Sequence, residues 1–350
     1  MNLDDTHLFE NLDTKGMINE IRNMPFQLEQ SWELGQSNPI PEKKNFSHII
    51  IAGMGGSAIG ADILKSLVYS ECKAPISVVR GYNLPEWAKG NDILVVCSSH
   101  SGNTEETLSI FDQSLERKCV AMAVTTGGQL KEKCDETQSI CWLFNHEGQP
   151  RAAVGYSFGL LYSLFSRLSL LVDAQLALEG AISKLKEMIT KYDVDVPVSS
   201  NLAKRLAGQA VNRFPFIIGA EHLEPVSRRW KTQVNELAKA WAQFGFIPEA
   251  DHNTLAGVEN PDFRIPEIYA IFLNSEKYYP RNQKRMNLTF TEFMVAGLCT
   301  DKIMVQGRNL LEEIWTAILL GDFFSYYLAM AYKMDPTPVE TLENFKRNMK

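Results

Sequence analysis

The chain has 350 residues, 45% of them hydrophobic and 22% charged, with a formal net charge of −7. That length exceeds one ordinary core and suits two domains of roughly 150 residues each, while the composition is that of a folded chain with no long disordered region. The acidic balance disfavours nucleic acid and anionic lipid as partners, yet it leaves room for a local pocket that holds a small anion.

Cysteines at 72, 97, 119, 134, 141 and 299 stand singly and form no C-x-x-C pair, the pattern of reduced thiols. The opening MNLDDTHLFENLDTKG is acidic and lacks a basic start and an apolar core, so no signal peptide is expected. No apolar run approaches the roughly 20 residues of a membrane helix. These features predict a cytoplasmic protein with no membrane partner.

In chain order, residues 1–45 carry apolar positions at helical spacing (Met17, Ile18, Ile21, Met24, Phe26, Leu28) and end in the loop SNPIPEKK, which predicts a helical N-terminal arm. HIIIAG at 48–53 reads as a buried strand followed by a Gly-rich turn and a helix. PISVVRG (75–81), DILVVCSS (92–99), VAMAVTT (120–126) and the shorter CWLF (141–144) repeat the pattern. Strands apolar on both faces with helices between them predict a parallel, doubly wound sheet of flavodoxin-like α/β type. The stretch from about 152 to 192 is helical and completes a first domain over 46–192. A second α/β domain over 193–350 restarts with the helix NLAKRLAGQAVNR and the strand FPFIIGAE. A long helix RRWKTQVNELAKAWAQF, the strands IYAIFLNSE and KIMVQGRN, and a large apolar helix from Leu310 follow, with a C-terminal helix or tail at the end.

Two loops carry the chemistry. GMGGSAIG (53–60) lies between a buried strand and a helix, where glycines let the backbone approach a ligand and free N–H groups attract an anion; Gly55, Gly56 and Ser57 are its candidates. Gly53, Gly55 and Ala58 also satisfy a loose G-x-G-x-x-A dinucleotide pattern. The next strand ends at Arg80 rather than at an acid, which disfavours NAD but leaves NADP open. No Gly-Lys-Ser/Thr follows, so a Walker loop is excluded. A plain strand-to-helix turn is the bland alternative. SSHSGNTEET (98–107) follows the second loop's strand and puts the hydroxyls of Ser99, Ser101 and Thr104 at a helix mouth, a cradle for phosphate oxygens. Simple N-capping by Thr104 would explain one of these hydroxyls. The six His and the Cys show no metal-ligand spacing, so no metal is expected.

GGSAIGADI and SHSGNTEET together resemble the sugar isomerase (SIS) domain, and PRAAVGYSFG (150–159) narrows the resemblance to the bifunctional phosphoglucose/phosphomannose isomerase family, whose members carry two such domains. RRWKTQVNELAKAWA (228–242), PEADHN (248–253), DPTPVETLENFKRNM (335–349) and PFQLEQSWELG in the arm extend it over nearly the whole chain. His100 stands where many relatives have Tyr, and NELAK replaces the more frequent NENAK.

The resemblance implies an isomerase that interconverts glucose 6-phosphate, with mannose 6-phosphate, and fructose 6-phosphate through a cis-enediol, without a cofactor. Glu236 takes the position of the base that moves a proton between adjacent carbons; on residues alone it would read as a helix carboxylate paired with Lys239. His252 matches the residue that helps open the sugar ring, supplied across a dimer interface, and an imidazole with a pKa of about 6.5 suits that proton transfer. A homodimer is therefore implied. Lys346 matches the terminal Lys that assists ring opening, and Arg151 the fixed cation beside the enediolate; their bland readings are a solvated chain end and a surface Arg. A sugar-phosphate-binding regulator without turnover and an NADP oxidoreductase are the alternatives from other classes.

Overall fold

Apolar positions at helical spacing close the N-terminal arm into α1 (Thr6–Leu12), α2 (Met17–Arg22) and α3 (Met24–Ser37) in the computed structural model, which describes residues 2–43 and 45–349. Lys44, the end of the predicted arm loop, and the terminal residues 1 and 350 lie outside the described residues. The side chain of Asp13 accepts the N–H groups of Met17 (2.7 Å) and Ile18 (2.9 Å), satisfying donors that α2 would otherwise leave open. Pro25 sits in the first turn of α3, where its missing N–H costs nothing. The chain divides into two compact units. The first holds Asn23–Ile182, and the second joins Met1–Arg22 to Ser183–Lys350. Residues 1–45 are thus shared: α1 and α2 fall in the second unit and α3 in the first.

The first unit runs β1 (His48–Ala52), α4 (Gly55–Leu67), β2 (Ile76–Val79), β3 (Ile93–Ser99), α5 (Glu105–Glu116), β4 (Val120–Thr125), α6 (Gly128–Thr137), β5 (Ile140–Leu143) and α7 (Val154–Arg167). All its strands are parallel in the order β2-β1-β3-β4-β5, and every residue of β3 is buried, as a strand covered by helices on both faces must be. Strand order reverses between β1 and β3, so the crevice beyond their carboxyl ends is where an open α/β sheet receives ligand.

The second unit takes up the chain within α8 (Ala174–Tyr192). It continues through α9 (Leu202–Ala210), β6 (Phe214–Ala220), α10 (Glu224–Leu237), β7 (Gln243–Ile247), β8 (Ile268–Asn274), α11 (Pro280–Val295), β9 (Cys299–Met304), α12 (Leu310–Ala331) and α13 (Glu340–Asn348). Its sheet is again parallel, in the order β7-β6-β8-β9, with its own reversal between β6 and β8. The doubly wound α/β architecture expected for both halves is the one observed.

Two expectations are corrected. The helix expected to run from Arg228 into Phe244 stops at Leu237, and Gln243 opens β7. Lys239 adopts a left-handed backbone (φ 53°) just past the helix end, a place where Gly is usual. Its ammonium donates to the carbonyls of Leu237 and Asp335, at 3.1 and 2.5 Å. The bond to Asp335, 96 positions away, helps hold a conformation that helix propensity opposes. Second, α12, at 22 residues and with an 18-residue window of mean hydropathy 1.4, is long and apolar enough to cross a membrane, although no apolar run of that kind was expected. The protein itself buries 94% of that window, and the acids α12 carries, Glu312, Glu313 and Asp322, each meet a basic partner.

Close helix packing orders each unit through small residues. A Cβ on Gly159 of α7 would lie 1.8 Å from Ser31 Oγ of α3, and one on Gly35 of α3 would lie 2.3 Å from Ser163 Oγ of α7. At the N-terminal end of the same seam, Gln27 donates to the Ala152 carbonyl (2.9 Å) and accepts from Gly155 N–H (3.1 Å), tying α3 to the chain entering α7. In the second unit a Cβ on Gly321 of α12 would lie 2.2 Å from Nε1 of the fully buried Trp230 on α10, whose indole donates to the Ala317 carbonyl at 2.8 Å. Ala at position 321 would gain about 1 kcal/mol of helix propensity, whereas overpacking a core costs about 1–3 kcal/mol and occasionally more. Gly321→Ala is therefore expected to lower the midpoint of urea unfolding despite the better helix former; an unchanged or raised midpoint would show that α10 and α12 are not this tightly packed.

Candidate active site

Both expected anion loops open at the carboxyl ends of β1 and β3, on the two sides of the first unit's strand reversal. After β1, Met54 is extended and Gly55 turns the chain with φ 50°, so that Gly55, Gly56 and the buried Ser57 form the first turn of α4. A Cβ on Gly53 would meet the Ser98 carbonyl at 2.8 Å and Ser57 Cβ at 3.2 Å. The bare backbone of residue 53 is thus what lets the two loops converge.

After β3, Ser99 Oγ lies 2.9 Å from Thr104 Oγ1 and accepts the Gly102 N–H at 3.1 Å, while Asn103 N–H donates to Ser101 Oγ at 3.3 Å. Thr104 occupies the N-cap position of α5 but its side chain makes no cap bond. Simple capping therefore fails to account for this hydroxyl, and the N–H groups of the first turn of α5 are left for an anion. Ser99 is buried and Ser101 is exposed, so the loop presents one structural hydroxyl and one accessible one. Outside the turn, Tyr82 donates to Glu105 at 3.2 Å, and the nearby carboxylates, Glu106 foremost, push its phenol above the usual range.

The β4–α6 turn braces this loop from behind. Thr126 gives its N–H (3.1 Å) and hydroxyl (2.7 Å) to the His100 carbonyl, Leu130 N–H donates to the Gly102 carbonyl at 2.9 Å, and Gln129 N–H to Asn103 Oδ1 at 3.1 Å. On the other side, His100 Nε2 meets His146 Nδ1 at 2.9 Å, and the His100 ring stands edge-on to Phe144, which stacks on Tyr156. Sequence reasoning missed His146 and Tyr156. They lie 46 and 56 positions beyond His100, and no motif spacing links them to the loop.

Arg151 lies in the 3-10 helix Pro150–Ala152 and is 6% exposed, so the surface-Arg reading is overturned. Its guanidinium donates to Gln149 at 3.1 Å. The turn packs directly on α4: a Cβ on Gly56 would lie 2.7 Å from the Pro150 carbonyl and 3.6 Å from Arg151 Cα. Gln27, bonded to Ala152, holds the same turn from α3. Gly55, Gly56, Ser57, Ser99, Ser101, Thr104 and Arg151 are therefore carried on converging segments of one unit.

The dinucleotide reading loses its remaining support here. Arg80, just past β2, is ion-paired to Asp62 on α4, which occupies the cation that an NADP phosphate would need.

The other three candidates belong to the second unit, on three separate elements. Glu236 is half-buried in the last turn of α10. That helix is fastened to α12 by Trp230 and by the buried ion pair of Arg229 with Asp322 at 2.6 Å; burial pushes the Asp322 carboxyl up against the pull of the guanidinium. His252 is exposed at the end of the 3-10 helix Glu249–His252, beside Asp251, which bonds Thr289 (2.7 Å) and Arg285 (3.1 Å) of α11. Lys346 lies in the last turn of α13, a helix with no buried residue. The C-terminal helix expected here spans Glu340–Asn348.

Gly102 tests the loop as an anion cradle. It has φ 65°, and a Cβ there would lie 1.8 Å from the Gly127 carbonyl, a backbone atom that cannot swing aside. Gly102→Ala is expected to push the loop off the β4–α6 turn and weaken inorganic phosphate binding at least tenfold by titration calorimetry, roughly 1.4 kcal/mol. Unchanged affinity would remove this loop from the site.

Residues 199–349 match the model of the bacterial phospho-glucose isomerase C-terminal SIS domain. A bifunctional phosphoglucose/phosphomannose isomerase of Caldicellulosiruptor bescii is 34% identical over 337 residues, covering 95% of this chain and 98% of its own. One of Aquifex aeolicus is 31% identical over 87% of this chain and 91% of its own. Among solved structures, a hypothetical protein of Thermus thermophilus superposes with a TM-score of 0.75 at 14% identity, covering 99% of this chain and 92% of that one, which speaks for the fold alone. The identities and near-complete coverage, on a chain with two parallel sheets, place it in a family: it belongs to the bifunctional phosphoglucose/phosphomannose isomerases.

Proposed function

We infer that this protein is an aldose–ketose isomerase that interconverts glucose 6-phosphate and mannose 6-phosphate with fructose 6-phosphate. The observation that carries the reading is the near full-length match to relatives named for both activities. The paired hydroxyl and amide loops at the first strand reversal support it, since they suit a phosphomonoester. The regulator reading has no comparable support, because the curated relatives that span the chain carry enzyme names.

In this reading Ser57, Ser101 and the N–H groups of α4 and α5 hold the phosphoryl group, and Ser99 and Thr104 shape the loop that does so. Neutral donors bind a dianion without trapping it. Once the ring is open, Glu236 removes the proton from C2 of the aldose, the electron pair moves onto the C1 carbonyl oxygen, and a cis-enediolate forms. Transfer of the O2 proton to O1 and return of the carbon proton from Glu236 to C1 yield the ketose. C2 is planar in this intermediate, so glucose and mannose configurations converge on it, the chemical reason one base serves both epimers. Arg151, buried and permanently charged, stabilises the negative charge on the enediolate oxygens. His252 and Lys346 move the ring-opening proton between the ring oxygen and O1. We place the enzyme in the cytoplasm, in keeping with six unbridged cysteines, and as a homodimer in which His252 serves the partner's site.

Glu236→Gln keeps the shape and removes the base. In a coupled assay on both hexose phosphates it should lose at least about a hundredfold in turnover while still binding substrate; retained turnover rejects the assignment. Mixing inactive Glu236→Gln with inactive His252→Ala tests the shared dimer. Random reassociation leaves one intact site in each mixed dimer and should restore about a quarter of wild-type activity, whereas a mixture that stays inactive would mean that each chain uses its own histidine.

A further inference from the structure

The second unit has its own strand reversal, between β6 and β8, and the segments that leave those strands converge on a buried carboxylate. Glu313, in the first turn of α12, accepts His222 Nε2 at 2.8 Å and Ser275 Oγ at 2.6 Å on one oxygen, and Lys277 Nζ at 2.8 Å on the other. His222 follows β6; Ser275 and Lys277 follow β8. The side chains of Glu313 and His222 are each 3% exposed, and Ser275 is 3% exposed. The cluster is also internally fastened. Lys277 N–H donates to Ser275 Oγ at 2.9 Å and its ammonium to the Gly307 carbonyl at 2.8 Å.

The donor set is that of an anion site: an imidazole, a hydroxyl and an ammonium from two post-strand loops, all aimed at one point beyond the sheet's carboxyl edge. Ser275 donates to Glu313 rather than to His222, so the Ser–His contact of a hydrolytic triad is not made. The backbone leading to His222 is also constrained. Glu221 is held at φ 48°, unfavourable for a residue with a Cβ, by its carboxylate's bonds to Tyr279 N–H and Asn282 Nδ2, both 2.8 Å. Burial tends to raise the Glu313 carboxyl, and the bonds from His222, Lys277 and Ser275 together outweigh it, keeping the group below the ordinary range and ionised.

We propose that the second strand reversal is an oxyanion site whose permanent occupant is the chain's own Glu313 carboxylate, and that a small free oxyanion such as phosphate enters it only when that side chain is removed. The first unit's crevice is left open for ligand, and the second is closed by an internal one. This holds whether or not the isomerase assignment is correct, since it concerns donors that Glu236, His252 and Arg151 do not touch in turnover.

Melting temperatures of the full chain, of Glu313→Gln and of Glu313→Ala, each in phosphate and in chloride at equal ionic strength, test it. Glu313→Gln fills the slot with a neutral group and should melt roughly 6–20 °C below the parent chain in either buffer. Glu313→Ala opens the slot. Phosphate should raise its melting temperature well beyond the rise seen for the parent chain and for Glu313→Gln, a comparison that subtracts any phosphate bound elsewhere. A Gln variant as stable as the parent overturns the proposal, because the donors would then need no anion. Equal phosphate shifts in all three chains overturn it too, as does an Ala variant that folds in neither buffer.

Discussion

A parallel sheet whose strand order reverses must leave a crevice where neighbouring connections depart in opposite directions, and everything chemical in the first unit depends on that constraint. At the carboxyl ends of β1 and β3 the chain turns into helices, whose first-turn N–H groups have no partner one turn back in their own helix. Hydroxyls at Ser57, Ser99, Ser101 and Thr104 add donors of the same sign of polarity without adding charge. In the proposed isomerase these donors favour an anion yet release it, as turnover of a phosphomonoester requires.

The second unit answers the same constraint differently. Its reversal collects His222, Ser275 and Lys277, a stronger and partly charged donor set, and satisfies them with Glu313 from α12. One sheet geometry thus carries Gly- and Ser-rich turns at one reversal and a carboxylate from a neighbouring helix at the other.

Much of the sequence that marks the family serves packing as well as chemistry. In PFQLEQSWELG, Gln27, Ser31 and Gly35 make the seam with α7 and hold the turn that carries Arg151. In RRWKTQVNELAK, Arg229 and Trp230 clamp α10 to α12 and so set where Glu236 stands. Displacing a proposed proton-transfer group by an ångström is costly in rate. Scaffold and reacting groups are therefore encoded in the same short segments.

The α/β architecture and the two Gly-Ser-rich strand-to-helix turns were legible in the residues alone, because runs such as HIIIA and ILVVCSS are apolar on both faces and those turns follow them, signals carried by near neighbours in the chain. Tertiary structure decided what depends on distant partners. Lys239 ends α10 through bonds to Leu237 and Asp335; Arg151 is buried because Gly56 leaves room for its turn; the apolar length of α12 is an interior helix because the protein surrounds it. His146 meets His100, and Glu313 meets His222 across 91 positions, without a spacing rule that could announce either pair. Local propensity is a property of a few adjacent residues, whereas the burial and pairing of a charge are settled only once the chain has returned upon itself.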